Sequence, residues 1–131
     1  MSERRLLKTE VLAIHEAAIS RFGGLSGMRD EGLLESALAQ PHQTFGGVEL
    51  YPSVEEKAAR YAYGICRNHP FLDGNKRVAT ACLGVYLRLE NRIFRPSHEA
   101  LLSIMRGVAD GSVDYDRLLD WVRLESSQPK E

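Results

Sequence analysis

Ten consecutive residues, Val78 to Leu87, carry no charge at all in a chain that is 27% charged overall. Their apolar character runs all the way round a helical wheel, which predicts a helix buried at the centre of a bundle. The run is too short to cross a membrane, which takes about 20 apolar residues. The flanking sequence supplies the helices that would cover it. Thr9 can cap a helix whose apolar positions Val11, Ile14, Ala18 and Phe22 fall on one side, with Gly23-Gly24 as its stop. Asp30 can cap a short helix that ends before Pro41. Ser53 and Glu56 form a capping box ahead of a stripe of Ala58, Tyr61, Ala62 and Ile65. Ser97 caps a helix running to Ala109, Asp114 caps another that carries Trp121, and Gln128 to Glu131 should fray. The prediction is an all-α bundle of about six helices around the 78–89 helix, in one domain spanning 1–131. The stretch from His42 to Pro52 breaks the pattern. Its Gly46, Gly47 and Pro52, with alternating Val48 and Leu50, read as a loop or short hairpin between helices.

Composition narrows the function classes. A chain of 131 residues buries a core without staples, and two cysteines make no disulfide framework. The amino-terminal stretch lacks the apolar segment of a secretory signal, so a cytoplasmic protein is expected, with no membrane association. The net charge of −1 argues against direct nucleic-acid binding. The charge is unevenly placed, however: residues 57 to 95 hold eight Lys/Arg against Asp73 and Glu90. Lys57, Arg60, Arg88 and Arg92 are expected on solvated helix faces. The cations around 69–77 would draw in a polyphosphate.

The chemistry concentrates in Asn68 to Arg77, N-H-P-F-L-D-G-N-K-R. His69 is the residue whose ordinary pKa lies near neutrality, the natural general base. Asp73 offers a hard oxygen ligand suited to Mg²⁺. Gly74 and Asn75 lead into the uncharged helix, with Lys76 and Arg77 in its first turn. Cations at a helix N-terminus oppose the macrodipole, and a bound anion reverses that sign, so the arrangement describes a phosphate site.

Plainer roles compete for several of these residues. A lone histidine is by default a satisfied core residue, but the helix start that follows His69 favours catalysis. Asp73 is of a type that caps helices, a role compatible with metal binding through its second oxygen. Phe71 reads as a structural anchor and Pro70 as a stiffener of the turn. His15-Glu16 and His98-Glu99 lack the second histidine of a zinc-protease helix and read as surface residues. Cys66, three before His69, also lies on the apolar stripe and reads as a small buried hydrophobe. Walker and Rossmann glycine patterns are absent, so a nucleotide site must come from the 69–77 loop.

The 69–77 run resembles the Fic superfamily signature, H-x-F-x-[D/E/N]-[A/G]-N-[G/K]-R, through His69, Phe71, Asp73, Gly74, Asn75, Lys76 and Arg77. Lys76 after the asparagine is similar to the death-on-curing (Doc) toxin branch. The AMP-transferring branch has glycine there and a second arginine three residues past the motif, where this chain has Thr80. The likeness extends to G-M-R-D-E-G-L-L-E-S-A-L at 27–38, F-G-G-V-E-L-Y-P at 45–52 and E-K-A-A-R-Y-A-Y-G-I at 56–65, and weakens after about residue 90.

The resemblance implies a toxin of a type II toxin–antitoxin pair that transfers the γ-phosphoryl group of ATP, with Mg²⁺, to a Ser/Thr hydroxyl. The implied target is the translation factor elongation factor Tu, with translation arrest as the outcome. It assigns His69 as base, Asp73 as metal ligand, and Gly74, Asn75, Lys76 and Arg77 as phosphate holders. Thr44, Phe45, Gly46, Gly47, Val48, Glu49, Leu50 and Tyr51 become a flap that docks the target in extended form. The inhibitory [S/T]-x-x-x-E-[G/N] segment of AMP-transferring relatives is absent: Gly27 and Tyr86 stand four residues before Glu31-Gly32 and Glu90-Asn91. A small antitoxin acting in trans is therefore expected. AMP transfer, which Gly74 would suit, and a non-catalytic protein-binding module are the alternatives.

Overall fold

The computed structural model describes residues 4–130. In chain order they form α1 (Lys8–Phe22), α2 (Glu31–Ala39), a 3₁₀ turn (Gln40–His42), β1 (Thr44–Phe45), β2 (Val48–Glu49) and α3 (Val54–Asn68). Then follow α4 (Asn75–Leu89), β3 (Ile93–Phe94), α5 (His98–Asp110), α6 (Tyr115–Glu125) and β4 (Ser126–Ser127). The architecture is all-α, and among the described residues no helix is long and apolar enough to cross a membrane.

The uncharged run does become the central helix. α4 packs most extensively on α3 and also meets α1, α5 and β3. Val78, Ala79, Cys82, Leu83, Tyr86 and Leu87 are wholly buried, and each Leu- or Val-sized side chain so hidden contributes about 1.5–3 kcal/mol. Thr80, Ala81 and Val85 stay half-buried, so coverage falls short of the full circle expected. The predicted α3 stripe, Ala58, Tyr61, Ala62 and Ile65, is fully buried against it. Tyr61 and Tyr86 meet at 4.9 Å between ring centroids. On its other side α3 approaches α2 closely: a Cβ on Gly64 would lie 3.3 Å from that of Ala37.

Four predicted caps are in place. Asp30, Ser53, Ser97 and Asp114 accept from the backbone N–H of Leu33, Glu56, Ala100 and Arg117. Thr9 does not cap α1, which begins at Lys8, two residues sooner than a Thr9 cap would set. Leu7 holds the cap position, and the Glu10 carboxylate accepts its N–H at 2.8 Å. The 42–52 segment is a hairpin, pairing Thr44 with Glu49 and Phe45 with Val48. Gly46 and Gly47 turn it at φ +59° and +80°, left-handed conformations that favour glycine. A second ladder, Ile93–Ser127 and Phe94–Ser126, carries no two-residue-period signal in the sequence. Gln128 to Lys130 form neither helix nor strand, and Glu131 lies outside the described residues.

Three of the four basic residues assigned to solvated faces turn out otherwise. Lys57 is buried, its ammonium donating to Glu49 at 2.8 Å and to the Tyr51 carbonyl. The Arg60 guanidinium lies over the rings of Tyr51, Tyr63 and Tyr115 and donates to Gln40. Arg92 donates to Glu55 at 2.8 Å. Of the four, Arg88 is exposed as expected.

Candidate active site

The loop joining α3 to α4 is bracketed by two left-handed residues. His69 terminates α3 at φ 56°, ψ 54°, and Gly74 opens α4 at φ 81°. Glycine commonly takes such a helix-ending position; a histidine there adopts a strained conformation. Between them Phe71 is a pin. It is buried, its ring stacks on His15 at 3.9 Å and 8°, and the Asn75 amide grips its backbone from both sides. Asn75 Oδ1 accepts the Phe71 N–H at 2.9 Å, and Nδ2 donates to the Phe71 carbonyl at 3.0 Å. His15 Nε2 donates to the Asp73 carbonyl at 2.8 Å; a carbonyl only accepts, so that nitrogen bears the proton. The apolar pin thus holds the polar neighbours outward, as its position in the motif predicts.

Outward lies a cavity of about 610 Å³, lined by His69, Asp73, Gly74, Asn75, Lys76 and Arg77 together with Phe22, Gly23, Gly24, Cys66 and Leu102. Within the described residues the side chains of His69, Lys76 and Arg77 have no hydrogen-bonding or ion-pairing partner; Arg77 lies over the Phe22 ring at 4.8 Å. Lys76 and Arg77 occupy the first turn of α4, where no side chain caps the helix and no acidic residue offsets them. First-turn N–H groups, the dipole and two cations without a carboxylate partner among the described residues border one hollow, an arrangement chemically suited to an anion.

Asp73 faces the same hollow. Its Oδ1 accepts the Gly74 N–H at 3.0 Å and Oδ2 the Leu25 N–H at 3.2 Å, leaving lone pairs on both oxygens. Gly74, not Asp73, holds the N-cap position. Gly24 lets the two segments meet: at φ +115°, a Cβ there would sit 2.6 Å from Asp73 Oδ2. Among the described residues no three His, Cys, Asp or Glu side chains gather as a metal cage. A single carboxylate is the donor set by which Mg²⁺ could be held if phosphates and water supplied its other ligands.

Six expected site residues therefore share one cavity, with one change of part. Asn75 is 4% exposed and its amide is engaged with Phe71, so it braces the loop where phosphate contact was expected. The hairpin residues from Thr44 to Tyr51 do not line the cavity, and Phe45 and Val48 stand 80% and 67% exposed. His15, expected at the surface, is buried because the Phe71 ring and the Asp73 carbonyl together match an imidazole's flat face and N–H. Cys66 reaches the cavity wall, yet burial pushes its thiol up, against the opposing pull of Arg67 and Lys76. That suits a packing residue and not a nucleophile. Phe22 and Gly24, a helix residue and part of a helix stop by sequence, also line the cavity; the Gly-Gly pair is the one local signal of a close approach.

A family model described as the Fic/DOC family matches residues 5–87, from before α1 into the last turn of α4. A protein named Toxin Doc from Mycolicibacterium smegmatis is 44% identical over 68 residues, 52% of this chain and 52% of that protein, so the match spans about half the relative's length. Protein kinase doc of Escherichia phage P1 is 31% identical over 121 residues, covering 92% of this chain and 94% of that one.

Proposed function

The chain belongs to the Doc branch of the Fic/DOC family, and on that premise we propose that it is the toxin of a toxin–antitoxin pair and an ATP-dependent protein phosphotransferase. His69 takes the proton from an incoming Ser/Thr hydroxyl. The hydroxyl oxygen forms a bond to the γ-phosphorus, the bond from that phosphorus to the β–γ bridging oxygen breaks, and ADP leaves. Lys76, Arg77 and the α4 N-terminal N–H groups hold the phosphates and stabilise the charge in transit. Asp73 would hold Mg²⁺, which neutralises phosphate charge when bound. The family resemblance points to elongation factor Tu as the target, acceptor and translation arrest included.

The observation that carries the reading is Lys76. Its side chain, unpaired among the described residues, lines the cavity at the helix start, where an open glycine would let backbone N–H groups receive a nucleotide in the other sense. The place of the second arginine of AMP-transferring relatives holds Thr80, whose hydroxyl donates to the Lys76 carbonyl at 2.7 Å. Inhibition in trans is supported by Arg77, which no carboxylate pairs among the described residues. Glu31 pairs with Lys8, and Glu90 accepts from Tyr86. An antitoxin tail that folds as a helix on the toxin is the partner the resemblance implies.

Separate incubation of candidate targets with α- and γ-labelled ATP tests the assignment. Transfer of the γ-label alone, with a phosphate-sized mass increment, supports it. An AMP-sized increment instead selects the transfer that Gly74 would suit, and no label from either, with retained antitoxin binding, selects a binding module. His69→Ala should lower the rate by about 10²–10⁴ while leaving ATP affinity within a few-fold.

A further inference from the structure

We propose that Arg29 is a positioning residue for His69, fixing the backbone turn from which the base is presented. The proposal rests on the reading of His69 as the base. The guanidinium edge spans two consecutive carbonyls at the end of α3: Nε donates to the His69 carbonyl at 2.7 Å and Nη2 to the Asn68 carbonyl at 2.8 Å. Those carbonyls flank the left-handed His69, at φ 56°. A non-glycine residue holds that conformation only where the surroundings over-determine it.

The rest of the 27–30 segment completes a clamp. The N–H groups of Arg29 and Asp30 both donate to the Pro70 carbonyl, at 2.7 and 3.0 Å. Met28 bridges to Phe71, and Leu72 N–H donates to the Gly27 carbonyl at 3.1 Å. Asn68 Nδ2 donates to the Leu33 carbonyl in α2 at 3.0 Å, anchoring the same corner from behind. Every peptide carbonyl from 68 to 70 is thus held by Arg29 or its neighbour. Arg29 itself does not line the cavity. The G-M-R-D block at 27–30 thereby acquires a physical part: a short edge laid across the catalytic loop, with an arginine fork at its centre. A lysine keeps the charge at the α3 C-terminus, where any cation is favourable, but offers a single point in place of the planar fork.

The test uses the full chain with Arg29→Lys and Arg29→Ala, each measured for kcat and KM toward ATP, for melting temperature, and for the His69 Cα shift by NMR with labelled histidine. His69→Ala assigns the signal. The expected result for Arg29→Lys is a kcat lower by about 10²-fold, the scale of a misplaced catalytic group. The KM for ATP should stay within about 3-fold, and the His69 shift should leave its left-handed value. Added guanidinium should restore part of the rate to Arg29→Ala. An unchanged kcat in Arg29→Lys, a rate loss no greater than the unfolded fraction, or a raised KM with kcat intact each overturns the proposal. Should the unmutated chain transfer no label, the functional reading fails by itself. The shift still decides the clamp, and an unmoved His69 signal in Arg29→Ala overturns it.

Discussion

At the residue scale the site divides into groups that face the cavity and groups that hold them there, and the two should fail differently. Lys76 faces the cavity, so Lys76→Gly should abolish γ-phosphoryl transfer with little change in melting temperature. With the helix start opened, and Gly74 already present, some AMP transfer should emerge, read as an AMP-sized increment by mass spectrometry. Asn75 holds the loop. Removing its amide leaves the N–H and carbonyl of buried Phe71 unpaired, a cost of about 1–3 kcal/mol. Asn75→Ala should therefore unfold at measurably lower urea concentration, and retained stability would refute the brace. Both identities were legible in the motif; their division of labour was not. The amide's partner stands four residues back along a loop whose path depends on His15, 58 residues upstream of Asp73.

At the element scale the β1–β2 hairpin stands out because its strands bury nothing. Two-residue strands with exposed Phe45 and Val48 have no core of their own, and an isolated hairpin is marginal at best. What secures it is Lys57 on α3, bound to Glu49 and to the Tyr51 carbonyl, with Tyr51 also against Arg60. Lys57→Met keeps the buried stem and removes the ammonium. Hydrogen exchange across 44–51 should accelerate while that of α4 does not. If the hairpin docks the protein target, KM for that target should rise and KM for ATP stay unchanged. The turn was readable from Gly46-Gly47, whose chemistry is local. Its anchor was not, since a lysine among charged neighbours on a helix carries no sign that a loop will close over it.

At the scale of the whole molecule, Glu55 joins segments far apart in the chain. It accepts from Arg92 at 2.8 Å and from Ser126 at 3.1 Å, tying the start of α3 to the approach of β3 and to β4. Burial opposes its charge, yet the Arg92 hydrogen bond, aided by backbone and Ser126 contacts, holds its carboxyl below the ordinary 4.5. A carboxyl lowered in the folded state contributes stability that is complete above its unfolded value and is lost as pH falls through the folded one. Stability should therefore decline below about pH 4.5, and Glu55→Gln should flatten that acid limb in urea titrations at stepped pH. A variant with an undiminished acid slope would place the titrating groups elsewhere. The thiols behave oppositely: burial pushes Cys82 up to about 12, so it should resist alkylation until the protein unfolds.

The amino-acid sequence by itself determined the helices, four of their caps, the central place of the uncharged run, and the loop and helix start that carry His69, Asp73, Lys76 and Arg77. These follow from interactions within a few residues: side-chain oxygens reaching N–H groups three positions on, apolar spacing on a wheel, and a glycine where the backbone turns left-handed. Only the tertiary structure decided which charges are solvated and which are held. Lys57 is buried, Arg60 and Arg92 are half-buried and held by partners, His15 lies against Phe71, and Arg29 reaches the end of α3. Each of these depends on a partner from another element, brought within 3 Å by packing of the whole core. A residue's type states what it can bond; the fold states what is there to be bonded.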